Sequence, residues 1–510
     1  MTMLTHEFCR KQSFLNCYSL FNSLHYVEKG LTLFHICRAR ILNYNRRIGC
    51  AGERGSGCRE KGETHMKRYV TDASHRFRES GVAVKPAPLA PEMNLVKVYP
   101  GVRFQQFIGF GAALTEAAGY VFAHMTPKQQ EEFLQLCFSP ERNGYSLCRL
   151  SIQSCDFSLA PRPYLDARDE SLAGFSIDDD WGYVLPLVKA AQRVNPGLQF
   201  IAAPWSPPAW AKTNRSMKRG GHLRRDRFSL WARMMARALA EYRQVGVDIG
   251  RVTVQNEPNA IQAWESCLYN AAQERDFLVD HLKPVLREAG LGHVKTLVWD
   301  HNKEGMLDRA AAIMQDDRAA AAVDGVAFHW YSGDHFEALR ATRDLVGPDR
   351  ELIFTEGCDY YSAGDPAAEL QHAEHYAHEI VGDLQAGANA ILDWNILLNA
   401  QGGPNHVDNF CDAPIMYDMR ERRMNVRLPF CYLGHFSRFV QVGAHRVLVS
   451  RFTDRLETCC FRNPDDSMAL VVLNRTDDAM AFDLNWGSGV LGGRIAHLDS
   501  PAHSIQTICW

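Results

Sequence analysis

Two glutamates stand at the ends of short apolar runs: Val252–Gln255 leads into Asn256-Glu257-Pro258, and Leu352–Thr355 leads into Glu356. Other runs close on similar residues. Asp156 lies just beyond Ser146–Ile152, Trp205 beyond Gln199–Ala203, and Asp300 with His301 beyond Lys295–Trp299. His329, Trp330 and Tyr331 end another run, and Trp394 with Asn395 a further one. A lone Glu in such a place is ordinarily a solvated charge or half of a loop salt bridge. The set reads differently, as carboxylates, amides and indoles without a serine beside its base, a metal cluster or a phosphate cradle. Such a set suits carbohydrate chemistry. Cleaving a glycosidic bond needs one group to protonate the leaving oxygen and another to attack or stabilise the developing oxocarbenium carbon. Indole faces cover the apolar C–H face of a pyranose, while Asp, Asn and Arg bond its hydroxyls.

Those residues must be held by something regular. From about residue 104 a short apolar run alternates with an amphipathic helical stretch. The runs are Phe107–Gly111, Ser146–Ile152, Gln199–Ala203, Val252–Gln255, Lys295–Trp299, Gly325–His329, Leu352–Thr355 and Ala390–Trp394. Between them, Asp179–Arg193, Phe228–Val245, Glu274–Ala289 and Ala367–Leu384 return apolar residues at three- and four-residue steps, as helices do. Eight such units over residues 106–432 predict a parallel (β/α)8 TIM barrel, whose catalytic groups gather at the C-terminal ends of the strands. An open, doubly wound sheet is the competing layout. Its nucleotide fingerprint is only partly matched, because Ile108-Gly109-Phe110-Gly111-Ala112-Ala113 lacks the third glycine. In a barrel, the fourth and seventh strands let Glu257 and Glu356 face each other. A gap of ~5–5.5 Å between the carboxylates would mean retention and ~6.5–9.5 Å inversion.

The final stretch changes character. Arg446–Ser450, Leu456–Phe461, Met468–Leu473, Ala479–Leu484, Arg494–Leu498 and Ser504–Cys509 are short, β-rich and separated by turns such as Asn463-Pro464-Asp465-Asp466. They predict an antiparallel β-sandwich over 433–510. Leu95–Tyr99 and Val102–Gln106 have no helical partner and are assigned to it, so residues 66–105 contribute strands and the side domain draws on both chain ends.

At 510 residues the chain exceeds the ~250–300 at which one core stops growing. A net charge of −3 gives no reason to expect nucleic acid or an anionic membrane as partner, and no apolar run approaches the ~20 residues of a membrane span. The 15 cysteines are irregularly spaced and odd in number, and several, such as Cys148, Cys460 and Cys509, fall inside strand-like runs. They read as reduced, mostly buried thiols, with no spacing for structural zinc. Residues 1–65 hold ten Lys/Arg against five Asp/Glu and five of the cysteines. Their apolar run Leu31–Cys37 is broken by His35 and unlike a secretory signal. A transit-like leader fits the composition; the reading adopted is a non-native extension ahead of Met66. A cytoplasmic location follows, with the sequons at Asn214 and Asn474 arising by chance. Nothing in the sequence speaks to oligomeric state.

Taken together, Gln255-Asn256-Glu257-Pro258, Phe354-Thr355-Glu356-Gly357-Cys358 and Ile108-Gly109-Phe110-Gly111-Ala112-Ala113-Leu114-Thr115-Glu116 resemble glycoside hydrolase family 30, in its glucosylceramidase-like branch. Ser154-Cys155-Asp156-Phe157-Ser158, Pro204-Trp205-Ser206-Pro207-Pro208-Ala209-Trp210, Phe328-His329-Trp330-Tyr331, Gly402-Gly403-Pro404-Asn405 and Leu433-Gly434-His435-Phe436-Ser437 continue the pattern in the family's order. The resemblance implies a retaining β-glycosidase without a cofactor, acting on β-glucosides of the glucosylceramide type and so touching sphingolipid metabolism. It makes Glu257 the acid/base and Glu356 the nucleophile. It assigns Asn256 to the sugar 2-hydroxyl, Asp156 and Trp205 to the 4- and 6-hydroxyls, and Trp394 to the floor of the sugar site. Arg149 would steady the nucleophile, and Asn409 and Tyr331 would line the cleft.

Structural readings stand beside these roles. Arg149 also suits a buried ion pair, Trp330 and Tyr331 also suit barrel packing, His329 suits a supporting hydrogen bond, and Cys358 suits a packed thiol. The charge on nearby Glu356 is expected to keep Glu257 protonated. The chain carries His406 where the branch's motif has Trp, which together with the expected cytoplasmic location counts against a ceramide aglycone. A β-1,6-glucanase or β-xylosidase of the same family, and a non-catalytic sugar-binding protein, are the alternatives.

Overall fold

The computed structural model of the protein describes residues 66–86, 94–487 and 493–510. The expected extension over residues 1–65, with its five cysteines, lies outside them. The eight apolar runs form eight parallel strands, Gly109–Ala113, Leu147–Ile152, Gln199–Pro204, Ile249–Thr253, Lys295–Asn302, Gly325–His329, Glu351–Glu356 and Ala390–Asp393. They pair in sequence order and close when Ala390–Asp393 meets Gly109–Ala113. This is the expected barrel, and the open-sheet alternative falls away.

The interior is a plug of branched side chains, Leu147, Ile201, Leu297, Ile353 and Leu392, all excluded from water. Removing such surface from water stabilises by roughly 1.5–3 kcal/mol per large side chain. Closure also requires small residues. A Cβ on Gly111 would sit 1.6 Å from the carbonyl oxygen of Leu147 on the next strand. The glycines that suggested part of a nucleotide loop therefore bring the first two strands into contact.

The helices cover the barrel with two departures from expectation, of which the first is that the segment predicted over Asp179–Arg193 is a 3-10 turn over Asp178–Trp181 followed by an α-helix over Val184–Val194. The segment predicted as one helix over Glu274–Ala289 is α-helical over Ala271–Phe277, widens to a π-helical turn over Leu278–Leu282, and resumes over Lys283–Glu288. Pro284 lacks the N–H that a continuous α-helix would use there, which is why the ladder loosens just before it.

The second β-rich region is a ten-stranded hydrogen-bonded order that bends back on itself. It runs Arg78–Val82, Met66–Thr71, Ser504–Cys509, Met468–Asn474, Leu456–Arg462, His445–Arg451, Leu95–Gln106, Met480–Trp486, Arg494–Ser500, Lys85–Pro86. Leu470, Val472 and Ile508 share one apolar cluster with Phe482, Leu484, Ala496 and Leu498 across the bend, giving a sandwich core. Three expectations change. Leu95–Tyr99 and Val102–Gln106 are a single strand, Leu95–Gln106, because Pro100-Gly101 is accommodated by register shifts against His445–Arg451 instead of a turn. That strand pairs parallel with Met480–Trp486, so the sandwich is not wholly antiparallel. The boundary expected at 432/433 falls inside the helix Leu428–Ser437, which is buried along its whole length between barrel and sandwich.

Among the described residues, no helix is long and apolar enough to cross a membrane. The ten described cysteines are free thiols, eight of them buried.

Candidate active site

The site is built on Arg149, in the second barrel strand and wholly excluded from water. One arm of its guanidinium donates to the Thr355 carbonyl at 3.0 Å and to Glu356 Oε2 at 2.7 Å. The other donates to Asn256 Oδ1 at 2.8 Å and Asp300 Oδ2 at 2.9 Å. Its face lies 4.8 Å from the Trp205 ring and 5.7 Å from Trp394, which stack on each other with centroids 5.2 Å apart. One arginine thus ties together the ends of four strands. Its structural and site readings both apply.

Glu356 is the last residue of the seventh strand, 7 % exposed, and also accepts a hydrogen bond from the Tyr331 hydroxyl at 3.1 Å. Glu257 follows the fourth strand in a left-handed backbone conformation, φ +47°, which is uncommon for a residue with a side chain. Its amide donates to the Asp300 carbonyl at 2.9 Å. Asp300 itself has φ +51°, so two kinked strand ends lock each other and turn the Glu257 carboxyl inward. Glu257 Oε2 accepts from Gln262 Nε2 at 3.1 Å, and its Oε1 lies 3.5 Å from Nδ1 of both His301 and His329.

His329 is the hub between the two glutamates. The other side of its ring puts Nε2 3.2 Å from Asp300 Oδ1 and 4.0 Å from Glu356 Oε2. Burial disfavours its charge, but Glu356 and Asp300 outweigh that and raise the imidazole to about 9. Burial likewise opposes ionisation of Glu257, yet the hydrogen bond and charge of His329, with His301 and Gln262, pull its carboxyl down to about 2. Glu356 moves up, through burial and the charges of Glu257 and Asp300, against the pull of His329 and Arg149. The expected effect of Glu356, which disfavours a second anion at Glu257, is thus opposed by His329, His301 and Gln262. The balance tilts toward a charged His329, 3.5 Å away, because that imidazole faces three carboxylates from three strands. Asp300, despite burial, is held well below the ordinary carboxylate range by Arg149, His329 and Thr355.

Deeper in, Asp156 is 4 % exposed; one oxygen accepts from Asn409 Nδ2 at 2.9 Å and the other has no partner. Burial, and next the charge of Glu356, raise its carboxyl well above the usual range. A buried acceptor without a donor is costly, and a sugar hydroxyl would satisfy it. Asp156, Trp205, Asn256, Glu257, Tyr331, Glu356, Trp394 and Asn409 all line one cavity of about 320 Å³. Arg149 lies behind them, in contact with Glu356. The nine residues singled out from sequence are thus brought together.

Trp330 and Tyr331 part company. Trp330 packs on His375, Tyr376 and Phe354, whereas Tyr331 is 42 % exposed in the cleft. His406 bonds the Ser158 carbonyl through Nδ1 at 2.9 Å and lies 3.2 Å from Glu265 Oε2, bracing the wall behind Asp156. Gln262, Trp264 and Tyr360, which escaped sequence reasoning, also line the cleft, as does His301, which was given no role. His301 was visible at a strand end; the other three lie in loops with no periodic signal.

The strand ends are expected to hold no metal cluster. Among the described residues, Glu257, His301 and His329 are the one trio whose donor atoms lie within 4.8 Å of one another. Two of them, Glu257 and His329, are the groups whose proton affinities are coupled in the site.

Comparison with known proteins agrees with this geometry. The glycosyl hydrolase family 30 TIM-barrel domain matches residues 107–440, and the glycosyl hydrolase family 30 beta sandwich domain matches residues 443–508. The chain is 30 % identical to lysosomal acid glucosylceramidase of Mus musculus over 87 % of this chain and 89 % of that protein. It is 28 % identical to an endo-1,6-β-D-glucanase of Neurospora crassa over 73 % of this chain and 79 % of that one. The structure of SrfJ from Salmonella typhimurium superposes with a TM-score of 0.85 at 36 % identity, covering 88 % of this chain and 99 % of that one.

Proposed function

The chain belongs to glycosyl hydrolase family 30, and on that premise we propose that it is a retaining β-glycosidase that hydrolyses β-glucosides by double displacement. The observation that carries the reading is the pair of buried glutamates from opposite strands, both touched by one imidazole. In this reading Glu356, oriented by Arg149 and Tyr331, attacks the anomeric carbon. Glu257 delivers to the leaving oxygen the proton it shares with His329, then takes a proton from the incoming water. Asn256, held by Arg149, bonds the 2-hydroxyl. Asp156, with its unpartnered oxygen, receives the 4- and 6-hydroxyls beside Trp205, and the Trp205–Trp394 stack supports the ring.

The test is chemical rescue. Glu356→Gly should lower turnover of an aryl β-glucoside by ~10³-fold or more, and azide should restore reaction as the α-glycosyl azide. A β-azide product would reverse the assignment of roles.

The substrate is assigned to small β-glucosides, since His406, braced on Ser158 and Glu265 behind Asp156, stands where a Trp is expected from the resemblance. A cytoplasmic location is part of the same proposal, supported by the free, mostly buried thiols. A second reading, cleavage of β-1,6-linked glucan, is favoured by the rim beyond Glu257. There Tyr360, which lines the cleft, is 88 % exposed and offers a ring able to carry a further sugar. Nitrophenyl β-glucoside, nitrophenyl β-xyloside, gentiobiose and glucosylceramide assayed side by side separate these readings and the sphingolipid one.

A further inference from the structure

A cavity of about 770 Å³ lies at the opposite end of the barrel from Glu257 and Glu356, where the N-terminal ends of the strands meet Leu95–Gln106 and His445–Arg451. Its charges sort into used and unused. Lys295 and Arg251 both pair with Glu351, at 2.5 and 2.6 Å. Arg343 donates to the carbonyls of Gly347, Arg350 and Gly387 and to Asn389, and Arg350 donates to those of Val323, Val346 and Ala320. These two stitch helix and strand ends together.

Arg446 differs. Only 9 % of it is exposed, yet among the described residues its one side-chain hydrogen bond runs from Nε to Gln105 Oε1 at 3.2 Å. Its guanidinium carbon lies 3.8 Å from the centroid of the Phe104 ring, which fixes its orientation at the cavity, and among the described residues its two terminal nitrogens have no partner. Arg340 lines the same cavity close enough to repel it, and burial together with that repulsion pushes the Arg446 guanidinium down to about 10. Arg103 borders the opening. Asp344 and Asp349 also line it, but among the described residues no carboxylate lies within 4 Å of Arg103, Arg340 or Arg446.

A buried cation beside a second cation is held against both desolvation and repulsion. An oxyanion between them would reverse both, with charge-assisted bonds to the free guanidinium edges. We propose that this cavity is a binding site for a small phosphorylated molecule, whose phosphate is held by Arg446 and Arg340. The cavity is larger than a lone phosphate needs, so the remainder of the ligand, of sugar-phosphate size, would occupy the space toward Lys295 and Asn389.

The experiment is calorimetric titration and thermal unfolding of the full chain with inorganic phosphate, glucose 6-phosphate, glucose, and potassium chloride at matched ionic strength. Phosphate and glucose 6-phosphate should bind and raise the melting temperature, with glucose and chloride inert. Arg446→Gln and Arg340→Gln should each weaken binding by about tenfold or more. Because Arg340 is exposed, its variant keeps the fold and decides the matter if Arg446→Gln does not fold. An equal rise with chloride, unaltered affinity in Arg340→Gln, or binding only to vesicles containing phosphatidic acid would overturn the proposal.

Discussion

The proton of the site is shared by two residues that sequence order keeps far apart. In the proposed mechanism Glu257 needs it to release the aglycone, while the carboxylates around His329 favour the proton there. Above the pKa of this pair the proton is lost, so the basic limb of kcat/KM falls as pH rises through it. His329→Gln removes the higher-affinity holder and leaves the proton on Glu257 alone. The basic limb should then move to lower pH, by about one unit or more, as a pH–rate profile would register. An unmoved limb would leave His329 with an orienting role only. Glu257→Ala should spare aryl glucosides with good leaving groups in the first step while slowing poor ones ~10²–10⁴-fold; equal loss on both kinds would remove it as the acid. Both glutamates were legible in the sequence because each ends an apolar run. The hub role of His329 was not, since its neighbours Glu257, Asp300 and Glu356 come from three other strands and only barrel closure assembles them.

At the level of elements, the helix Leu428–Ser437 joins barrel to sandwich through a buried imidazole. His435 Nδ1 lies 2.9 Å from Thr507 Oγ1 and Nε2 2.8 Å from Thr71 Oγ1, so strands from the two chain ends meet on one ring. Burial, with Arg438 nearby, pushes this imidazole down to about 3. The sign follows. Between about pH 3 and the ordinary histidine value the unfolded chain binds a proton that the folded chain does not, so stability falls as pH falls, by about 1.4 kcal/mol per unit at most. Thermal unfolding from about pH 7 to about pH 4 should show that slope, and His435→Gln should flatten it. All eight barrel strands were readable from their apolar runs. The parallel pairing of Leu95–Gln106 was not, because period-two alternation places a strand on a sheet without saying which neighbour it takes or in which direction.

Across the whole molecule, barrel and sandwich share a core. Phe461, Val471, Leu473 and Ile505 of the sandwich are buried in the same apolar cluster as Phe107, Phe110 and Phe436. Exposing those four would forfeit roughly 1.5–3 kcal/mol each, comparable in sum with the ~5–15 kcal/mol that keeps a protein folded. The barrel segment 107–440 expressed alone should therefore aggregate or lack near-UV circular dichroism, and the full chain should unfold in one calorimetric transition. Two resolved transitions would show the cores to be independent.

By itself the sequence determined the barrel, the strand-rich partner and the residues at the strand ends, because periodicity and strand-end position are properties of a single segment, whereas Arg149 and Asn409 were named through the family resemblance alone. Tertiary structure alone decided the rest. It turned Trp330 into packing and Tyr331 into the cleft, surrounded His329 with three carboxylates, and left Arg446 buried with no carboxylate within 4 Å among the described residues. Each of these is an electrostatic or packing relation among segments distant in the chain, and such energies exist only once burial strips away water and brings the partners within a few ångströms.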